Sequence, residues 1–250
     1  MPRIAPNPVT LFLTPSYNAT NNVAKTGRVR LSANGFDLSE FNLLGKTVCK
    51  TRSLYTDNLA ACTGMVVLAK KLNNLCHENS SNYTNLENTR QDVFDKVTRK
   101  ILDMLQSTKD NVQIGLFGGW GNGSSKRAEE IEQSHNLFNN IALCIEDELP
   151  ETEGLNIPLL TVWGKLDSSK PDAIYARENS IVLINEIFKK LFDKDGNCEY
   201  TQEQLKDFLS EHYEEVLIPQ NVVIIPEANY QSLNIQDNLK RKEKLLSLTV

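Results

Sequence analysis

The sequence predicts an α+β chain: a mixed α/β domain over residues 1–185, followed by a helical appendage and tail over residues 186–250. Three observations carry this. Short apolar or alternating runs separated by Asn, Gly and Pro fill the first fifth, which is the chemistry of strands and turns. Apolar residues spaced by three and four then mark helices in the middle of the chain. Beyond residue 185 the pattern becomes helix, acidic loop and helix.

Taken in order, "VTLFL", "GRVRLSA" and "KTVCK" between residues 8 and 50 read as strands. From Ala60 to Leu75, Met65, Leu68, Ala69 and Leu72 recur as one face of a helix would require, which puts Cys62 at or near its first turn. Residues 87–106 carry Val93, Phe94, Val97, Ile101, Met104 and Leu105 on one stripe, with Asn85 or Asn88 as cap. "NVQIGLFGGWGNGSS" is a strand entering a glycine-rich loop, and residues 126–149 form a second long helix capped by Ser124 or Ser125. "IPLLTVWGKL" and "DAIYARENSIVLIN" read as strands, the latter a pair turning at "RENS". The last part, from "INEIFKKLF" to "EEVL", reads as helix, acidic loop and helix, ahead of a strand-like "NVVIIP" and a polar tail. No fixed-period repeat is visible.

Composition narrows the function classes. With 40% hydrophobic residues the 250-residue chain can bury a sizeable core, yet no apolar run reaches the ~18 residues of a membrane span. The N-terminal "MPRIAPNPVTLFLTPSYN" is broken by prolines and does not fit a signal peptide, so a cytoplasmic protein is expected. For the same reason the N-x-[ST] triplets at Asn18, Asn79, Asn82 and Asn122 read as products of a high asparagine content. The five cysteines (49, 62, 76, 144 and 198) are odd in number and contain no CxxC pair, which argues for reduced thiols rather than a disulfide framework or zinc knuckle. A net charge of −5 gives no electrostatic reason to expect nucleic acid as a partner.

Three segments could carry chemistry. In "GLFGGWGNGSSK" the glycines at 118, 119, 121 and 123 follow a strand and precede a helix, but Ser124-Ser125-Lys126 stands where a phosphate-binding loop needs Lys then Ser or Thr. A tight turn explains those glycines as well. In "DKDGNCEYTQEQ", Asp193, Asp195 and Asn197 occupy calcium-ligand positions one, three and five, while Cys198 replaces the glycine at six and Gln204 the bidentate Glu at twelve. That pattern favours a turn built on Asp and Gly over a metal site, and no cofactor is expected. The third candidate is Cys62, flanked by Ala60, Ala61, Thr63 and Gly64, with His77 fifteen positions on. A lone cysteine among small residues is most often a packed hydrophobe, but one at a helix start with a histidine base gains as a nucleophile. His135, in an acidic helix, and His212 read as surface histidines.

The order Thr56-x5-Cys62-x14-His77, then a long helix, then "FGG" at Phe117 to Gly119 ending a strand, resembles the chemoreceptor glutamine deamidase CheD and the deamidase domain of cytotoxic necrotizing factor. The resemblance covers residues 50–185, and "LAA" precedes the cysteine here where the toxins have "LSG". It implies a mixed sheet or β-sandwich flanked by helices. It also implies a protein glutamine deamidase with Cys62 as nucleophile, His77 as base and Thr56 as the orienting third member, with Trp120, Gly118 and Gly119 shaping the substrate wall. Family members act on folded proteins: receptors, GTPases or a translation factor. Together with the extra C-terminal segment, this favours a bacterial effector or toxin delivered into a host cytosol without a signal peptide. The same Cys–His pair would serve a cysteine peptidase or transglutaminase, and a non-catalytic adaptor with Cys62 in its core is the alternative of another class.

Overall fold

In the computed structural model, residues 8–15, 29–30, 54–59, 62–68, 73–79, 113–118, 159–165, 172–177 and 180–228 are described, together with helical residues 132, 135, 136, 139, 140, 142 and 143. Two mixed sheets form its frame. The first contains β1 (Val9–Thr14), β2 (Val29–Arg30), β3 (Leu54–Leu59), β8 (Asp172–Arg177), β9 (Ser180–Ile184) and β11 (Val222–Pro226), in the order β11-β1-β9-β8-β3-β2. The second contains β4 (Cys62–Leu68), β5 (Asn73–Asn79), β6 (Gln113–Gly118), β7 (Leu159–Gly164) and β10 (Tyr213–Leu217), in the order β10-β7-β6-β4-β5. Parallel pairs (β1 with β9 and β11, β6 with β7, β2 with β3) stand beside antiparallel ones in each.

The core lies between the sheets. Val66, Phe117, Leu160 and Val162 from the second sheet join Leu11, Leu183, Ile174 and Ile224 from the first in one buried cluster. Opposite residues in a ladder share a face, and the registers Gly64↔Phe117 and Phe117↔Val162 put these side chains in one inward row. Each fully buried Leu, Val or Phe of such a cluster is worth about 1.5–3 kcal/mol of transfer free energy before conformational entropy is set against it. The outer face of the second sheet is covered as well, since Met65, Leu116 and Trp163 are also buried. The described helical residues 132, 135, 136, 139, 140, 142 and 143, called α1, include His135, whose ring stacks on Trp163 at 5.1 Å on that side.

The predicted strands in "VTLFL", "QIGLFG", "LLTVWG", the turned pair at 172–184 and "VVIIP" are all present. The predicted helix over Ala60–Leu75 is not: within that stretch, residues 62–68 are strand β4 and β5 begins at Asn73. The cause is burial on both faces. All seven residues of β4 are buried, so its apolar positions show no alternation, and the run satisfies helical spacing by coincidence. The predictions for 87–106 and for "KTVCK" fall outside the described residues.

The segment read as an appendage completes both sheets. β11 pairs in parallel with β1, and β10 pairs antiparallel with β7. Between them and β9 lie a 3₁₀ helix, Glu186–Leu191, and α2, Gln202–His212, whose N-cap Thr201 makes a capping box with Gln204. Phe188, Leu205, Phe208 and Leu209 belong to the common core, so residues 186–228 pack as part of the sandwich. No helix among the described residues is long and apolar enough to cross a membrane.

Candidate functional site

Three consecutive strands, β3, β4 and β5, carry Thr56, Cys62 and His77. Cys62 opens β4, is 8% exposed, forms no disulfide and belongs to the core cluster between the sheets. It is therefore not at a helix start, and the dipole and free N–H groups expected there do not act on it. β4 and β5 pair antiparallel with Cys62 opposite Asn79 and Gly64 opposite His77. Positions 62, 64, 77 and 79 accordingly fall on one face of the sheet, with 62 and 77 as diagonal neighbours, a relation that spans about 7–8 Å in antiparallel ladders.

Gly64 identifies that face. A Cβ there would lie 2.9 Å from Ile174 Cδ1 and 2.9 Å from Leu59 Cδ1, both side chains of the facing sheet. The face is thus the inner one. Thr56 on β3 is opposite Ile174 on β8, and Ile174 belongs to the inter-sheet core, so position 56 falls on the inner face of the first sheet. β3 also passes against β4 and β5. Positions 62, 64 and 77 thus share the inner face of the second sheet, and position 56 lies on the inner face of the first.

The strand β6 meets the cysteine from the other side. Gly118 pairs with Thr63, adopts φ +150°, and has no room for a side chain, because a Cβ would overlap the Cys62 carbonyl oxygen. Glycine is required there on both counts. Gly119, Trp120 and the rest of the glycine-rich loop lie outside the described residues.

The other candidates sit elsewhere. His135 projects from α1 over the outer face, stacked on Trp163, with Nε2 3.4 Å from Glu215 Oε2. His212 stacks on Phe208 at 4.2 Å; its Nδ1 donates to the Phe208 carbonyl at 2.9 Å, leaving Nε2 to accept from Lys190 Nζ at 3.3 Å. In the calcium-like loop, Asp193 Oδ1 accepts from the backbone N–H of both Asp195 and Asn197 at 2.8 Å, and Oδ2 accepts from the Asn197 side-chain amide at 3.1 Å. Gly196, at φ +83°, closes the turn. The Asn197 backbone N–H is the first cause that holds the Asp193 carboxyl below its ordinary pKa, with the Asn197 side chain next. The loop is an Asx turn closed on itself, and the described residues contain no group of three or more His, Cys, Asp or Glu arranged to hold a metal.

Sequence reading missed Asn79, the residue directly across from Cys62, and took Gly64 only as a small neighbour of the cysteine, not as the residue across from His77. Their signal was the period-two run Leu75, His77, Asn79, which reads as a polar tail to a helix once β4 is taken for one. Compared with known proteins, the chain matches no family model and no curated protein, so the likeness to the deamidases rests on the residues quoted above.

Proposed function

We propose that the chain is a protein glutamine deamidase in which Cys62 is the nucleophile, His77 the base and Thr56 the orienting group. The observation that supports this best is the register: Cys62 and His77 are diagonal positions on one inner surface and Thr56 lies on the inner surface of the facing sheet, with Gly118 seating the Cys62 main chain. The two-sheet sandwich with a helix on its outer face is in keeping with the CheD-like fold that the resemblance implies.

The chemistry follows from thiol reactivity. His77 takes the Cys62 proton, and the thiolate attacks the side-chain carbonyl carbon of a target glutamine. The C–N bond breaks as His77 returns the proton to the leaving ammonia. Water, deprotonated by the same imidazole, then hydrolyses the thioester to give glutamate and the free thiol. The oxyanion of each tetrahedral intermediate needs a donor, and a strand start lacks the clustered N–H groups of a helix. Asn79, at the register position directly across from Cys62, is the carboxamide residue assigned to this task. By the resemblance, Gly118, Gly119 and Trp120 would belong to the surface offered to a substrate protein of the receptor, GTPase or translation-factor class. Such an enzyme would act in a cytosol, as a bacterial effector delivered there or as a resident protein.

A second reading has its own observation. Cys62 is almost covered and lies in the core cluster, as it would in a protein-binding adaptor with no catalysis. The two are separated by incubating the wild-type chain with a cell lysate and measuring ammonia release and a gain of about one dalton on target peptides, the mass difference between amide and acid. A signal present in the wild type and lost in Cys62→Ser and His77→Ala is expected. Asn79→Ala should lower kcat about 10²–10³-fold at unchanged KM, the usual loss for an oxyanion donor. Peptide cleavage or amine incorporation in place of the mass gain would make the enzyme a peptidase or transglutaminase, and no Cys62-dependent change at all would favour the adaptor.

A further inference from the structure

The outward edge of β11 is closed by a side chain. β11 ends the first sheet, with β1 as its neighbour. Asn221 O accepts from Val9 N at 3.0 Å and Glu227 N donates to Leu13 O at 2.9 Å, so the odd-numbered residues turn their main-chain groups toward β1. Val222, Ile224 and Pro226 therefore turn theirs outward. Each outward donor is taken or missing. Val222 N donates to Pro219 O at 3.0 Å, Ile224 N donates to Gln202 Oε1 at 2.8 Å, and Pro226 has no N–H. Gln202 Nε2 also donates to Ile224 O at 2.6 Å, so one carboxamide occupies both main-chain groups of Ile224 as a neighbouring strand would.

The need for such a closure is visible in the strand itself. "VVIIP" is apolar, and Val223 and Ile225 are 39% and 38% exposed. An uncovered edge of that composition is a template for pairing with another chain. Gln202 is well placed to prevent it, because it is the first residue of α2 and is anchored there by the Thr201–Gln204 capping box.

We propose that Gln202 is an edge lock: its carboxamide stands in for a missing strand and keeps Val222–Pro226 from pairing with the same segment of a second copy of the chain. The proposal is independent of any catalytic activity. Hydrogen exchange and sedimentation of Gln202→Ala against wild type test it. The Ile224 amide should exchange about tenfold faster, the worth of one lost hydrogen bond, while the Val223 and Ile225 amides, which face β1, keep their protection. The variant should also sediment as dimers or larger species whose share grows with concentration, and adding Ile225→Lys should return it to wild-type sedimentation. Should Gln202→Ala lose its fold, Gln202→Met keeps the side chain's length and helix propensity without its hydrogen bonds and carries the same expectations. A folded variant whose Ile224 amide exchanges at the wild-type rate, or whose sedimentation matches wild type at every concentration, would overturn the proposal.

Discussion

β4 and β11 are both short apolar strands, and they differ in how much of each is covered. β4 is buried along its whole length, with β5 and β6 on its two edges, the facing sheet on one face and a buried outer face on the other. β11 buries Val222 and Ile224, exposes Val223 and Ile225, and has one edge that, among the described residues, is closed by a turn, a proline and Gln202. The same residue types thus serve opposite purposes. In β4 they build a frame buried on both faces that includes the Cys62 thiol. In β11 they supply half of a core contact, and the surplus apolar surface has to be kept from other chains.

The largest effect that would sharpen this contrast is at Gly118. Gly118→Ala forces a side chain onto the Cys62 carbonyl at a φ that L-residues avoid, and should cost about 3 kcal/mol or more in urea unfolding. A cost below about 1 kcal/mol would mean that the β4–β6 frame yields easily. The next contrast is valine against valine. Val66→Ala removes two methyl groups from a site with 0% exposure and should cost about 2 kcal/mol, whereas Val223→Ala on the exposed face of β11 should stay within about 0.5 kcal/mol. Equal costs would break the comparison.

The smallest effect lies in the loop ahead of α2. The folded Asp193 carboxyl titrates below its unfolded value because N–H groups favour its charged form, the Asn197 backbone first. That stabilisation is present above the unfolded carboxylate pKa, about 4, and is lost as pH falls through the lower folded value. The stability difference between wild type and Asp193→Asn should therefore shrink on acidification through that range. A difference that holds constant from neutral pH to below 3, a range well under ordinary carboxylate pKa values, would contradict the Asx-turn account.

What was legible in the sequence follows the same physical division. β1, β6, β7, the β8–β9 pair and β11 announce themselves by short length, β-branched residues and flanking Gly, Pro or Asn. β4 does not, since burial on both faces erases its alternation, and β5 follows it into error because Asn73, Asn74, His77 and Asn79 look like loop residues when no partner strand is suspected. β10, "YEEVL", continues the acidic pattern of α2 without a glycine or proline between them, so the chain turns from helix to strand with no sequence mark. The candidate residues Thr56, Cys62 and His77 were legible as types and spacings. Their assignment to inner sheet faces was not, because it depends on strand register. Asn79 entered only through that register.

Deamidation by this chain would require Cys62 and His77 to act as a pair across the β4–β5 ladder. The most direct measurement is the rate of Cys62 alkylation by iodoacetamide in the folded protein at neutral pH, with the partly buried Cys198 as an internal reference, in wild type and in His77→Ala. For such a pair, Cys62 should react faster than Cys198 in the wild type, and His77→Ala should slow it at unchanged secondary structure. Slow alkylation of Cys62 in both proteins, released only on unfolding, would make it a packing residue and contradict the catalytic reading.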